Sequence, residues 1–240
     1  MHPSLQEMID SAKKIVVLTG AGISTDSGIP DFRSETGTWT MDHQREYYIS
    51  KSFFNSDSEL FWKNYKKIFR FDVLGDFLPN TGHFYLADLE QQGKEVRIYT
   101  QNADGLHQKA GSSKVFEVHG SLLTGTCPQC RTKYDLDFIQ EQPTPRCSKD
   151  NAILEPGMVL FGDAIHYFQE AMQDLVQADL FLVLGTSLQV GPINELPRLA
   201  KHYQVPSVLI NREATPLDFL FDRVFHESIG DSLKADTTQA

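Results

Sequence analysis

Five short runs dominated by apolar residues set the tightest limit on what this 240-residue chain folds into: residues 15–18, 96–99, 115–118, 180–184 and 205–210. Runs of this length and composition read as strands buried on both faces. Helical spacing appears between them. Residues 82–92 place Phe84, Leu86 and Leu89 on a helix, and residues 165–178 place Ile165, Phe168, Met172, Leu175 and Val176 on one stripe. Strands alternating with helices predict an α/β protein, a Rossmann-like parallel sheet with helices on both faces.

Two stretches interrupt the alternation. Residues 36–71 are rich in aromatics (among them Trp39, Tyr47, Phe53, Phe61, Trp62, Tyr65), most of them expected to be core, and read as a helical insert. Residues 122–154 hold all three cysteines and read as a ribbon insert. The expected partition is a main domain of residues 1–35, 72–121 and 155–240, with the two inserts forming a smaller module beside it.

The first run, Ile15-Val16-Val17-Leu18, leads into Thr19-Gly20-Ala21-Gly22-Ile23-Ser24. A strand, a glycine-rich turn and a helix start make a phosphate cradle, because glycine lets backbone approach a pyrophosphate and free N–H groups face it. Gly20 and Gly22 fit the dinucleotide pattern, while Thr25 stands where a third glycine is usual. A second polar cluster follows, Pro30-Asp31-Phe32-Arg33-Ser34, in which Arg33 suits an anion and Phe32 suits stacking on a ring.

Further polar groups gather where other runs end. Thr100-Gln101-Asn102-Ala103-Asp104-Gly105-Leu106-His107 follows the second run. His119-Gly120 follows the third, where a histidine is placed to act as a base near neutral pH. Gly185-Thr186-Ser187-Leu188 follows the fourth. Amides and carboxylates at such positions suit ribose hydroxyls and a carboxamide. Cys127-Pro-Gln-Cys130 and Cys147-Ser-Lys-Asp150, 16 residues apart, have zinc-ribbon spacing with Asp150 where a fourth cysteine is usual. Cys127, Cys130, Cys147 and Asp150 are the expected metal ligands, in a closed structural site.

Five motifs in this order resemble the sirtuin family, in its short bacterial form, over residues 15–211: the loop Gly20 to Ser24, Pro30 to Ser34, Thr100 to His107, His119-Gly120 and Gly185 to Leu188. The resemblance implies an NAD-dependent protein-lysine deacetylase that consumes NAD, moves acetyl to ADP-ribose and releases nicotinamide. It implies NAD contacts from Gly20, Ala21, Gly22, Thr25, Asp31, Phe32, Arg33, Gln101, Ala103, Asp104, His119, Gly185, Thr186, Ser187, Asn211 and Ser232. Gln101 would hold the nicotinamide-side ribose, Asn102 an ordered water, Asp104 the nicotinamide amide, and His119 would be the catalytic base assisted by Asn102. Asn211 would meet the adenosine ribose and Ser232 the adenine. Sirtuins carry isoleucine where this chain has Ala103, which implies a roomier pocket there. Val159, Leu160, Phe161 and Gly162 would pair with an extended acetyl-lysine peptide, with Val190 on its other side. Sirtuins that prefer succinyl-lysine carry Tyr and Arg three apart on a helix. Trp62 and Tyr65 are matched to those positions here, which implies a neutral acyl group.

Composition narrows the partners. A formal net charge of −10 argues against a phosphate-neutralising nucleic-acid surface and favours lysine-rich protein segments. No apolar run approaches the roughly 20 residues of a membrane span, no secretory signal is visible, and an odd number of cysteines fits a reducing, cytoplasmic setting. A monomer is the expected state. Two other readings use the same residues: a mono-ADP-ribosyltransferase, and a non-catalytic NAD sensor or adaptor.

Overall fold

The computed structural model describes residues 3–31 and 44–233. Among them run nine strands: β1 (Lys14–Thr19), β2 (Glu95–Thr100), β3 (Val115–Glu117), β4 (Gly120–Thr126), β5 (Lys133–Asp135), β6 (Glu155–Met158), β7 (Leu180–Leu184), β8 (Ser207–Ile210) and β9 (Arg223–Phe225). All five apolar runs supply strands of one six-stranded sheet in the order β3-β2-β1-β7-β8-β9. Every neighbouring pair in it is parallel. The sixth strand, β9, has no apolar run to announce it. It is a half-exposed three-residue edge.

The strand order reverses direction at β1. From there the chain builds outward to β2 and β3 on one side, then returns to β7, β8 and β9 on the other. Such a switch point leaves a crevice at the carboxyl ends of the two central strands. Both faces of the sheet are covered. Ile15, Val17, Ile98, Leu182 and Val208 face a core shared with the helices Pro3–Ser11, Thr81–Gln91 and Ile229–Leu233. Val16, Leu18, Tyr99, Val183 and Leu209 face the helices Phe168–Val176 and Leu196–His202.

Between β3 and β7 the chain leaves this sheet and forms a second one, antiparallel, in the order β5-β4-β6. Earlier in the chain the helices Gln44–Tyr48, Lys51–Ser56 and Ser58–Ile68 pack against it. The two inserts share one core, in which Phe53, Phe54, Phe61, Trp62 and Tyr65 meet Leu122, Cys127, Ile139, Cys147 and Leu154. Ser50 and Asp57 cap the second and third of these helices through their side chains. Side chains also latch the helices to the ribbon: Trp62 Nε1 donates to Leu154 O at 3.0 Å, Arg146 meets Glu59 at 2.9 Å, and Lys66 donates to the carbonyls of Ile139 and Gln142.

Candidate active site and metal centre

The cleft forms where the loops after β1 and β7 meet backbone to backbone. Gly20 N donates to Leu184 O at 3.1 Å and Gly22 N to Gly185 O at 2.8 Å. A Cβ on Gly20 would lie 2.7 Å from Gly185 O, and one on Gly185, whose φ is +62°, would lie 2.4 Å from Ile23 N. Glycine is therefore a steric requirement on both loops. The expected helix after Gly22 is instead a 3₁₀ segment, Ala21–Ser27, closed by Gly28 in the left-handed conformation. Thr25, at the position of the missing glycine, folds its hydroxyl onto Gly22 O at 3.0 Å.

Around this junction opens a cleft of about 1370 Å³. The structure brings Gly20, Ala21, Gly22, Thr25, Asp31, Gln101, Asn102, Ala103, Asp104, His119, Gly185, Thr186, Ser187 and Asn211 to its wall, as it does Val159, Leu160, Phe161, Gly162 and Val190. Phe32 and Arg33 lie outside the described residues. Ser232 is a correction: it is 1% exposed, its hydroxyl donates to Ser228 O at 3.0 Å, and it does not line the cleft. It stands on the core-facing side of the helix Ile229–Leu233, while Glu227, Ser228 and Ile229 reach the wall.

The polar groups at the cleft floor are tied together. Gln101 Nε2 donates to Thr186 Oγ1 at 2.9 Å, joining the ends of β2 and β7. Asn102 Nδ2 donates to Ser24 Oγ at 3.0 Å, and Ser24 donates to Asp104 Oδ2 at 2.7 Å. Burial raises the Asp104 carboxyl, while the Leu106 amide and the Ser24 hydroxyl pull it back. Ser24 is the residue that the sequence reading missed as a site member. It lay within the glycine loop, but only the fold shows that it joins Asn102 to Asp104.

His119 sits just past β3. Its Nδ1 lies 3.0 Å from Gln101 O. A carbonyl only accepts, so Nδ1 carries the proton and Nε2 the lone pair of the neutral ring. Burial lowers its pKa from the ordinary 6.5, opposed by the Gln101 bond and aided by nearby His166. The His119 ring is thus held neutral, with its Nε2 lone pair free of the Gln101 bond.

The helical insert forms the opposite wall through Tyr48, Ile49, Asn64 and Ile68, among others. Trp62 and Tyr65 do not belong to it, which corrects the acyl-selectivity match. Both are sealed in the module core, 0% and 1% exposed, because their helix is covered on the ribbon side as well. On the peptide segment, Phe161 N donates to Ile49 O and Lys51 N to Phe161 O, so that edge at Phe161 is already paired within the protein.

Below this wall, Cys127, Cys130, Cys147 and Asp150 present ligand atoms all within 4.8 Å of one another. Cys130 Sγ and Cys147 Sγ are 3.5 Å apart, and Cys127 Sγ is 3.3 Å from Asp150 Oδ2. Tetrahedral bonds of about 2.3 Å to sulfur imply edges of about 3.8 Å, so the set has the size for zinc. The Gln129 and Cys130 amides point at Cys127 Sγ and the Lys149 amide at Cys147 Sγ, as donors to thiolates do. The Ala152 amide holds the Asp150 carboxyl down at about 2, so it is present as an anion.

A doubly wound parallel sheet with a glycine-walled cleft at its switch point, faced by a small module built on a metal-ligand cluster, defines an α/β protein of the dinucleotide-fold class. The model described as Sir2 family matches residues 20–192, and the chain belongs to the Sir2 family. The NAD-dependent protein deacetylase of Chromobacterium violaceum is 45% identical over 230 residues, covering 96% of this chain and 94% of its own. NAD-dependent protein deacetylase 2 of Geobacillus kaustophilus is 47% identical over 228 residues, covering 94% and 92%. A solved Sir2 structure with a p53 peptide and NAD+ superposes with a TM-score of 0.85 at 33% identity, covering 97% of this chain and 95% of that one.

Proposed function

We propose that the protein is an NAD-dependent protein-lysine deacetylase that transfers the acetyl group of acetyl-lysine to ADP-ribose and releases nicotinamide. The observation that carries the reading is that Gln101, Asn102, Asp104 and His119 converge on one cleft beside the Gly20–Gly22 and Gly185–Ser187 loops. Relatives named for this activity match at 45–47% identity.

NAD, as co-substrate, supplies the acceptor ribose and the nicotinamide leaving group. The amides of the loops after β1 and β7 that are not spent on the junction between them take its phosphates, with Thr186 and Ser187 beside them. Gln101 holds the nicotinamide-side ribose, Asp104 the carboxamide, and Asn211 the adenosine ribose. Ala103 contributes through its backbone. Asn102 holds a water, with its orientation fixed by Ser24. His119 accepts a proton from a ribose hydroxyl at Nε2, because Nδ1 is committed to Gln101 O. Phe32, Arg33 and Asp31 complete the cofactor side. Zinc on Cys127, Cys130, Cys147 and Asp150 is structural, since four protein ligands leave no open position.

The acetyl-lysine peptide lies along residues 159–162 as an added strand on the edge that Ile49 and Lys51 leave open, with Val190 opposite. A neutral acyl group would lie against Ile49 and Ile68 on the insert wall, which also presents Arg45, Lys67 and Arg70 to the cleft. No helix among the described residues is long and apolar enough to cross a membrane. A cytoplasmic, monomeric protein is part of the same proposal. Replacing His119 with alanine tests the chemistry. Turnover of an acetyl-peptide falls at least about a hundredfold while NAD still binds. Full turnover in the variant removes His119 as the base, and ADP-ribose found attached to protein favours the transferase reading instead.

A further inference from the structure

Two buried histidines stand outside the chemistry just described. His83 is 0% exposed and His107 1%, and their rings stand 4.8 Å apart, tilted by 61°. Their neighbours fix the tautomer of each. The Asn80 amide donates to His83 Nδ1 at 3.3 Å, so His83 carries its proton on Nε2. The Thr19 hydroxyl donates to Thr100 Oγ1 at 2.8 Å, so at its 2.9 Å contact with His107 Nε2 the Thr19 oxygen accepts. His107 therefore carries its proton on Nε2 and its lone pair on Nδ1.

The two remaining ring nitrogens, His83 Nε2 and His107 Nδ1, are buried and have no partner. One is an N–H without an acceptor, the other a lone pair without a donor. Leaving both unmade in a dry interior is costly. Ring centroids 4.8 Å apart allow the two nitrogens to come within bonding range when the rings turn them toward each other.

We propose that His83 and His107 are positioning residues of the NAD site, joined by an N–H···N bond that completes a closed hydrogen-bond circuit around the cleft floor. The proposal rests on the deacetylase reading for what the circuit serves. Apart from that one proposed bond, its links are in place. Asn80 Nδ2 holds Ile23 O at 2.8 Å and Ser27 Oγ at 2.9 Å, on the 3₁₀ segment after β1. From the Asn80 amide the circuit passes through His83, His107, Thr19 and Thr100 to the Asn102 amide, which donates to Thr100 Oγ1 at 3.1 Å. Asn102 Nδ2 then returns to Ser24, on the same segment. The circuit fixes Asn102 against the loop that receives NAD.

Both rings are kept neutral. Burial lowers His83 to about 4 and takes His107 well below its ordinary value, with His83 adding to the latter. A proton on either ring would set two N–H donors against each other.

The test combines kinetics with nitrogen NMR of the holoenzyme. His107→Phe removes both ring nitrogens and raises the KM for NAD about tenfold, leaving the peptide KM unchanged. His107→Gln, which keeps an N–H for Thr19, recovers most of that loss. His83→Phe combined with His107→Phe is no worse than His107→Phe alone, since both break one circuit. An unchanged KM for NAD in His107→Phe, or additive losses in the double variant, overturns the proposal. If the Phe variants do not fold, ¹⁵N shifts of the wild-type rings decide: Nε2–H tautomers with a hydrogen-bonded Nδ1 on His107 support it, and an Nδ1–H on either ring overturns it. A wild-type protein that shows this pair but does not consume NAD refutes the deacetylase reading and leaves the circuit standing.

Discussion

The two walls of the cleft are held up by different physics. The sheet wall is a parallel ladder whose central strands are buried on both faces, so backbone bonding and apolar burial fix its geometry before any ligand arrives. The insert wall rests on a small core of aromatics and cysteines, with short helices and a three-stranded sheet of few residues. It holds a cluster fit for a metal ion and side-chain latches such as Trp62 to Leu154 O. The groups assigned to the reaction stand on the sheet wall, while the proposed acyl and peptide contacts are shared with the wall that carries the metal-ligand cluster.

That difference is breakable. Removing zinc with a chelator, or Cys127→Ala, should melt the small module and leave the large sheet folded. The loss is on the scale of a structural zinc site, about 10 kcal/mol or more of binding free energy coupled to folding. Circular dichroism and metal analysis would show an early transition and less than one zinc per chain. A single cooperative melt unchanged by chelation would mean that the module stands without metal.

The converse attack on the rigid wall is Gly185→Ala. The new Cβ meets backbone atoms of Gly22 and Ile23 at 2.4–2.9 Å in a left-handed conformation. A cost of about 3 kcal/mol and loss of NAD binding are expected, with zinc content intact. Wild-type NAD affinity in this variant would show that the loop junction yields. A smaller effect comes from the latch. Trp62→Phe leaves Leu154 O without its donor and should cost about 1 kcal/mol, read as a modest fall in melting temperature and a raised peptide KM with the KM for NAD unchanged.

Smallest in scale is the pH response. The proposed base role needs His119 neutral, and burial holds its pKa below the ordinary 6.5. The acid limb of kcat/KM should therefore fall below pH 6.5, with full activity above it. A midpoint above 6.5 would place His119 in contact with a negative charge that the structure does not show.

What was legible in the sequence follows the same division. The large sheet could be read because its strands are apolar runs, and its cleft because glycines and polar residues follow those runs directly. β9 was missed because Arg223, Val224 and Phe225 form a half-exposed edge with no pattern. Ser232 was misplaced because sequence alone does not say which side of a one-turn helix faces a ligand. Trp62 and Tyr65 failed for a related reason: a helix packed on two sides buries residues that a one-sided helix would present to the cleft. Ser24 and the His83–His107 pair were invisible because their partners lie up to 88 residues away, brought together only by the parallel register of β1 and β2.

The most direct measurement incubates the purified protein with an acetyl-lysine peptide, with and without NAD, and counts products by mass spectrometry. The account predicts loss of acetyl only when NAD is present, with one nicotinamide released for each lysine freed, and none of this in His119→Ala. Deacetylation without NAD, or nicotinamide release with the peptide still acetylated, would contradict it.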